Sequence, residues 1–214
     1  MKLNRRKTRI VGLGSALVDI LVNESDEFVR RMGVQKGDMT LADMPDLEKI
    51  LTQASTKPII VPGGSACNTA VGIGRLGGLA RFVGKRGNDE SGQFFQNALV
   101  ERGVEPFLMT SALPTGRVLS IITPDAQRTM ITYLGASADT RPEEITPECF
   151  TDCAVVHMEG YLLFNPDLVV AALKAAKNAG SMVSLDLASF TVVEQAKGML
   201  DDLIGQYVDI ARSR

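Results

Sequence analysis

Short apolar runs alternate with longer amphipathic segments along this chain, and this alternation limits the folds that it can adopt. The runs "RIVGLG" (9–14), "ARFVGK" (80–85) and "AVVHME" (154–159) have the length of buried strands. "NPDLVVAALKAAKNAG" (165–180) has apolar residues at helical spacing between an Asn-Pro start and a Gly stop. Because parallel strands need such crossover helices, we expect an α/β fold whose mostly parallel sheet carries helices on both faces.

The middle of the chain departs from this rhythm. Residues 116–135 contain two β-rich runs around "PDAQ", which predicts a hairpin. The segment "GDMTLAD" (37–43) predicts another short strand. We expect these segments to form an accessory β-layer at one edge of the main sheet, within one domain that covers residues 1–214.

The composition excludes several classes of protein. The 214 residues are 45% hydrophobic and 22% charged, with a formal net charge of −2, as in an ordinary globular chain. No apolar run is long enough to span a bilayer, and no secretory cleavage site follows the basic start, so we expect a cytoplasmic protein without a membrane partner. Tyr is scarce and Trp is absent, which argues against a nucleic-acid partner.

The three cysteines are Cys67, Cys149 and Cys153. An odd number argues against a disulfide framework, and no nearby His or Cys pair completes the ligand spacing of a zinc site. We therefore expect all three cysteines to be reduced.

The glycine-rich stretch "VPGGSACNTAVGIGRLGG" (61–78) contains Gly72, Gly74 and Gly77 in the spacing G-x-G-x-x-G. A dinucleotide site needs such glycines between a strand and a helix. Here the preceding strand runs into the glycine pair 63–64, so the three later glycines fall inside the predicted helix and let it lie close to the sheet. The stretch also lacks the Lys-Ser/Thr pair of a Walker A loop.

The turn "GGSACN" has the residue types of a hydroxyl-binding site. Gly63 and Gly64 allow backbone N–H groups to approach a ligand without a Cβ in the way. Asn68 offers donor and acceptor atoms, although it can equally cap the helix while the glycines only turn the chain. Asp19 favours binding, because we expect it at the end of the first strand, on the same rim, where its carboxylate can accept bonds from two hydroxyls.

With these residues identified, the chain resembles the ribokinase-like (PfkB) family of sugar and nucleoside kinases. The matching pieces are "GSALVD" (14–19), "PGGSACNTA" (62–70), "LGGLARFVGKRGNDESG" (76–92), "HMEGY" (157–161) and the predicted hairpin. The resemblance implies a central sheet with flanking helices and a small β-sheet lid, whose strands lie near 37–43 and 117–134. It also implies transfer of the terminal phosphoryl group of ATP to a sugar or nucleoside hydroxyl, with Mg²⁺.

The resemblance also implies roles for individual residues. The residues that match substrate-binding positions are Asp19, Gly63, Gly64, Asn68 and Glu159. The positions that match the lid are Met39, Leu41, Leu119 and Ile131. Asp186 is a loose match to a polar residue on the phosphate side.

The chain departs from the family in one large respect. The N-x-x-E segment that organises Mg²⁺ and the G-A-G-D motif that supplies the base and the phosphate-holding amides occur nowhere in the sequence. Where N-x-x-E is expected, after the predicted strand "YVDI" (207–210), the chain has "ARSR" (211–214). We therefore expect the substrate-binding and lid portion of a truncated kinase, inactive alone, without a catalytic residue or a metal ligand.

Two other functions stay open at this point. A non-catalytic protein of the same fold would bind a sugar or nucleoside without turnover. A dinucleotide-dependent enzyme would use "GLGSALVD" (12–19) or "GIGRLG" (72–77). Tyr161 and Phe164 can stack on a nucleobase or pack against the next helix.

A sheet that stops at an interior strand leaves apolar faces and a strand edge uncovered. We therefore expect aggregation, or a homodimer formed through the lid or through the exposed sheet edge.

Overall fold

The computed structural model describes residues 8–213, which form two β-sheets and six α-helices. The strands are β1 (Arg9–Leu13), β2 (Leu17–Asn23), β3 (Met39–Leu41), β4 (Ile59–Gly63), β5 (Ala80–Gly87), β6 (Val104–Ser111), β7 (Gly116–Ile122), β8 (Arg128–Tyr133), β9 (Cys153–Met158), β10 (Met182–Asp186) and β11 (Ile210–Arg212). The helices are α1 (Asp26–Arg31), α2 (Met44–Leu51), α3 (Ser65–Arg75), α4 (Glu90–Glu101), α5 (Pro166–Asn178) and α6 (Phe190–Tyr207).

Most of the basic start of the chain, residues 1–7, lies outside the described range. Within that range no helix has the length and apolar character needed to cross a membrane.

The central sheet contains six parallel strands in the order β11-β10-β9-β1-β5-β6. Alternate side chains of these strands enter two separate hydrophobic layers. On one face, Val11, Val156 and Val183 pack against α5 and α6. On the other face, the ring of Phe82 meets the edge of Phe95 from α4, with centroids 5.5 Å apart. The predicted mostly parallel α/β sheet with helices on both faces is confirmed.

A second sheet has the strand order β3-β8-β7-β2-β4 and mixes parallel and antiparallel pairs. The strands expected near 37–43 and 117–134 occur in it as β3 and the hairpin β7–β8. Helices α1 and α2 cover one face, where Phe28 and Leu47 pack with Ile20. These two helices do not cover the opposite face.

Strands β2 and β4 also belong to the second sheet, which the sequence did not predict. β1 ends at Leu13 and a turn at 14–16 carries the chain into β2, so Asp19 lies inside a strand of the second sheet. The expectation that Asp19 ends the first strand is therefore wrong. The run "IVGLGSALVDILV" (10–22) is apolar on both sides of the turn, and hydrophobic periodicity cannot locate a turn within such a run.

Two further strands differ from the prediction. β6 was not predicted, and it contains Pro106, which an edge strand tolerates because one side of its backbone has no ladder partner. The last strand, expected at 207–210, lies three residues later at Ile210–Arg212, because α6 continues to Tyr207. Half of "ARSR" is therefore strand rather than tail.

The G-x-G-x-x-G spacing has a packing explanation in this fold. Gly72 and Gly74 lie inside α3, as predicted, whereas Gly77 follows the helix with a φ of 80°. The glycine that lets α3 approach the sheet is Gly12 of β1, since a Cβ there would lie 2.8 Å from a carbonyl oxygen of α3. Gly74 instead makes room for the end of α4, because its Cβ would lie 2.5 Å from the carbonyl oxygen of Arg102.

The substitutions Gly72→Ala and Gly74→Ala form a matched pair that tests this explanation. A Cβ at residue 72 meets no atom within 4 Å, so alanine should stabilise the protein by up to about 1 kcal/mol through helix propensity. A Cβ at residue 74 meets backbone that cannot easily yield, so alanine should destabilise by about 1–3 kcal/mol. Denaturant unfolding followed by circular dichroism measures both changes, and equal effects would contradict the packing role of Gly74.

Candidate functional site

The candidate site lies where the two sheets meet. The turn at 14–16 leads from β1 into β2, and the glycine pair 63–64 leads from β4 into α3. The first turn follows the carboxyl end of β1, the end at which open α/β sheets bind ligands. The fold therefore places Asp19 beside the glycine pair, with Asn68 one helical turn beyond it.

Asp19 lies in the middle of β2, paired with Val61 of β4. Its carboxylate rests on Gly63, where a Cβ would lie 2.1 Å from Oδ1, so a larger residue would displace it. Burial raises the pKa of Asp19 to about 6, and the charge of Arg128 partly opposes this increase. No residue that the structure describes donates a hydrogen bond to this carboxylate. Asp19 is thus a half-buried acceptor that a ligand can reach.

The glycine pair and Asn68 form the start of α3. Gly64 is the N-cap residue, with a φ of 95° that side-chain-bearing residues rarely adopt. The backbone N–H of Asn68 donates to the carbonyl oxygen of Gly64 at 2.9 Å, while its side chain is exposed. The alternative that Asn68 caps the helix is therefore wrong, and its amide is available for other hydrogen bonds.

Glu159 follows β9 and is only 2% exposed. Its Oε1 accepts a hydrogen bond from the N–H of Ser15 at 2.8 Å. Its Oε2 accepts from the hydroxyl of Ser65 at 3.0 Å and from the N–H of Ala66 at 3.3 Å. A Cβ on Gly14 would lie 2.4 Å from Oε2, so the carboxylate lies directly on the backbone. The contact with substrate that the resemblance implies for Glu159 would have to compete with these protein donors.

Two other polar residues lie in β9 and β10 of the central sheet, whereas Asp19 lies in the second sheet. Asp186 ends β10, two strands away from β1, and its Oδ1 accepts a hydrogen bond from the N–H of Ala188 at 3.1 Å. His157, the only histidine, is buried in β9 with Nδ1 3.1 Å from the hydroxyl of Ser184. Burial lowers the pKa of His157. Neither residue is brought beside Asp19 by the fold.

The four positions that match the lid divide between the two faces of the second sheet. Asp19 lies on the face opposite to α1 and α2, because side chains alternate and the next residue, Ile20, packs on those helices. By strand register, Met39 and Leu41 share the Asp19 face, and they are 37% and 61% exposed. Leu119 and Ile131 are fully buried under α1 and α2, where they support the sheet.

Three residues of this region were missing from the sequence-based prediction. They are Ser15, Ser65 and Arg128. The first two were hidden because they act as donors to an acid more than 90 positions away. The sequence could have indicated Arg128, because it follows the same period of two as the other β8 residues on the Asp19 face.

Comparisons with known proteins identify the family. A family model described as pfkB family carbohydrate kinase matches residues 48–212. The chain belongs to this family. Probable fructokinase-4 from Arabidopsis thaliana is 31% identical over 190 residues, which are 86% of this chain and 51% of that protein. A fructokinase from Klebsiella pneumoniae is 32% identical over 157 residues, which are 70% of this chain and 48% of that protein.

Solved structures of the family show the same architecture. The adenosine kinase from Sinorhizobium meliloti superposes with a TM-score of 0.85 at 29% identity, over 96% of this chain and 64% of its own chain. A probable sugar kinase protein from Rhizobium etli CFN 42 superposes with a TM-score of 0.87 at 30% identity, with the same coverage of 96% and 64%. The ribokinase-like fold expected from the resemblance is confirmed. This chain spans about half the length of the curated relatives that it matches.

Kinases of the pfkB family generally use ATP and a divalent metal. Within residues 8–213, no group of three or more His, Cys, Asp or Glu side chains is arranged to hold a metal ion. We therefore assign the described residues no step that involves the metal.

Asp19→Asn should stabilise the fold. Burial raises the folded-state pKa of Asp19 to about 6. The free energy of unfolding should therefore fall as the pH rises from about 4 to about 7 and the Asp19 carboxyl ionises in the folded protein. Asparagine is never charged, so the variant should be more stable than wild type by on the order of 2 kcal/mol at about pH 7, with a smaller difference at about pH 4. Denaturant titrations at both pH values measure this, and a variant that is less stable at the higher pH would contradict the unpaired state of Asp19.

Proposed function

We propose that this chain binds a sugar or a nucleoside and forms the substrate-binding portion of an ATP-dependent pfkB-family kinase. Asp19 is the observation that carries the proposal, because its half-buried carboxylate has a raised pKa and receives no hydrogen bond from the described residues. Such a group costs folding stability, and hydroxyl donors from a ligand would relieve that cost. A carboxylate with a purely structural role would be paired, as that of Glu159 is.

The arrangement suits a neutral polyol. An ionised Asp19 can accept hydrogen bonds from two adjacent hydroxyls, and the amide of Asn68 can both donate and accept. Gly63 makes room for the Asp19 carboxylate and Gly64 for the carbonyl oxygen of Ser15, and ligand contacts to their backbone N–H groups complete the proposal. The relatives are named fructokinase and adenosine kinase, after compounds that carry adjacent hydroxyls.

In the same proposal, these 214 residues bind the substrate but do not transfer a phosphoryl group on their own. Transfer depends on positioning and charge stabilisation around the ATP phosphates. The family motifs N-x-x-E and G-A-G-D, which supply these, are absent from the sequence. ATP and Mg²⁺ therefore belong to the activity of the whole kinase, which we place in the cytoplasm. A protein that only binds a sugar or nucleoside is the second candidate.

Exposed aromatic side chains bear on the choice between a sugar and a nucleoside. Tyr161 and Phe164 lie in the 3-10 turn that follows Glu159, and they are 36% and 53% exposed. Exposed rings two and five positions after Glu159 favour a substrate that carries a planar base. Adenosine is therefore the first ligand to test, followed by ribose and fructose.

Calorimetric titration with these three ligands tests the proposal. We expect saturable binding that is strongest above about pH 6 and about tenfold weaker at about pH 5, because ligand hydroxyls bind the ionised form of Asp19. Asp19→Asn should remove most of the binding and its pH dependence, whereas Asn68→Ala should weaken binding and keep the pH dependence. A folded wild-type protein that binds none of the ligands would contradict the proposed function. Formation of phosphorylated product by the same preparation would contradict the absence of turnover.

We propose that the face of the second sheet opposite α1 and α2 also joins two copies of the chain. Two apolar side chains on this face, Met39 and Leu41, are 37% and 61% exposed. Exposed apolar surface on this scale is typical of interaction sites. The interface would lie at the β3 edge of this face, three strands from Asp19 in β2, and would leave the edges of the central sheet free.

Leu41→Lys should shift the protein from dimer to monomer, because it places a charge in the apolar interface. Leu76→Lys is a matched control, since Leu76 is 90% exposed after the end of α3, away from the second sheet. Sedimentation velocity over a range of protein concentrations measures both variants. A wild-type protein that stays monomeric at every concentration would exclude this interface.

A further inference from the structure

Glu159 places a buried carboxylate between chain segments that are distant in sequence. Its donors Ser15, Ser65 and Ala66 are 144, 94 and 93 positions away. The residue is 2% exposed, and a buried charge is tolerated only when donors surround it. These contacts therefore hold the turn at 14–16, the start of α3 and the end of β9 at fixed distances from one another.

The same segments carry the residues of the proposed site. Ser15 lies in the turn that leads into β2 and Asp19, and Ser65 is the first residue of α3, which carries Asn68. One carboxylate therefore links the two side chains that we assign to substrate hydroxyls. This link adds to the β2–β4 ladder, which already pairs Asp19 with Val61.

The N-terminus of α3 is completed by this carboxylate. Gly64, the N-cap residue, has no side chain that can accept hydrogen bonds from the first turn of this helix of 11 residues. Glu159 supplies the accepting group from another strand, and its negative charge lies at the positive end of the helix dipole. Free amides at a helix N-terminus attract phosphate and carboxylate groups. In this protein an internal anion already occupies that position.

We propose that Glu159 is a positioning and specificity residue: an internal anion that holds the Asp19 and Asn68 segments together and excludes anionic groups from the start of α3. Glu159 and Asp19 both place negative charge at the site. Because like charges repel, sugar acids and other anionic sugars are rejected there. The statement about substrates rests on the proposed function. The statement that Glu159 serves as the internal anion of α3 does not.

Replacing Glu159 by alanine, with acetate as the probe, tests the internal anion. Alanine removes a carboxymethyl group, and acetate has the shape and charge of that group. We expect Glu159→Ala to lower the midpoint of thermal unfolding by about 5 °C or more. Acetate should restore most of this loss, compared with chloride at equal ionic strength, and should not change the midpoint of the wild type.

Two further variants serve as controls. Glu159→Gln fills the same space without charge, so acetate should not raise its midpoint. Leu173→Ala opens a cavity in the buried apolar core, and acetate should not rescue it. Acetate that raises all midpoints equally, or that leaves a folded Glu159→Ala unchanged, would overturn the proposal. If Glu159→Ala folds only in acetate, the proposal is supported; if it folds in neither salt, the proposal is wrong.

The substrate statement is tested by comparing neutral ligands with their carboxylate analogues. We expect the wild type to bind adenosine or ribose and to reject adenosine-5′-carboxylate or ribonate. Glu159→Gln should reduce this selectivity by about tenfold or more, because the charge is lost while the shape is kept. Unchanged selectivity would contradict the specificity role. If the wild type binds neither neutral ligand, the proposed function fails, while the acetate experiment still decides the role of Glu159 in α3.

Discussion

A single buried carboxylate, that of Glu159, holds together the region in which the two sheets meet. Its hydrogen bonds join the end of β9 to the turn that enters the second sheet and to the first residues of α3. Because the charge is buried, none of these segments can move away without leaving it unpaired, which is strongly unfavourable. The absence of a side chain at Gly14 follows from the same contact, since a Cβ there would overlap the carboxylate. The geometry of the candidate site therefore depends on an interaction that belongs to folding.

Asp19 and Glu159 show how surroundings give two acids different roles. Glu159 is fully buried and has donors for both oxygens, so its charge contributes to the fold. Asp19 is half-buried without such donors, and its pKa is raised to about 6. Unpaired polar groups of this kind are expected where a protein meets a ligand, because binding supplies the missing partners. The contrast between the two acids is the physical basis for assigning one to positioning and the other to substrate.

Membership in the pfkB family explains the division of the molecule into two sheets, and the local physics explains its glycines. The family model covers residues 48–212, and a solved adenosine kinase superposes over 96% of this chain. Within this shared fold, Gly12 and Gly74 are needed where backbone approaches backbone, at the sheet and at the end of α4. Within the G-x-G-x-x-G spacing, Gly74 alone has a packing role, since a Cβ at Gly72 or Gly77 meets no atom within 4 Å. Gly63 is needed for another reason, because the Asp19 carboxylate fills the space that a Cβ would take.

The sequence by itself determined the local elements, because apolar spacing and caps act between near neighbours. Examples are β1, β5 and α5, and the start of α1, where the Ser25 hydroxyl accepts from the N–H of Phe28 at 3.2 Å. It also pointed to Asp19 and the glycine pair, which lie in short motifs of the family. The tertiary structure alone decided that β2 and β4 join the second sheet, because the apolar run 10–22 gives no signal at its turn. It alone decided that Glu159 faces protein donors, since burial and pairing over more than 90 positions depend on the folded chain and not on neighbouring residues.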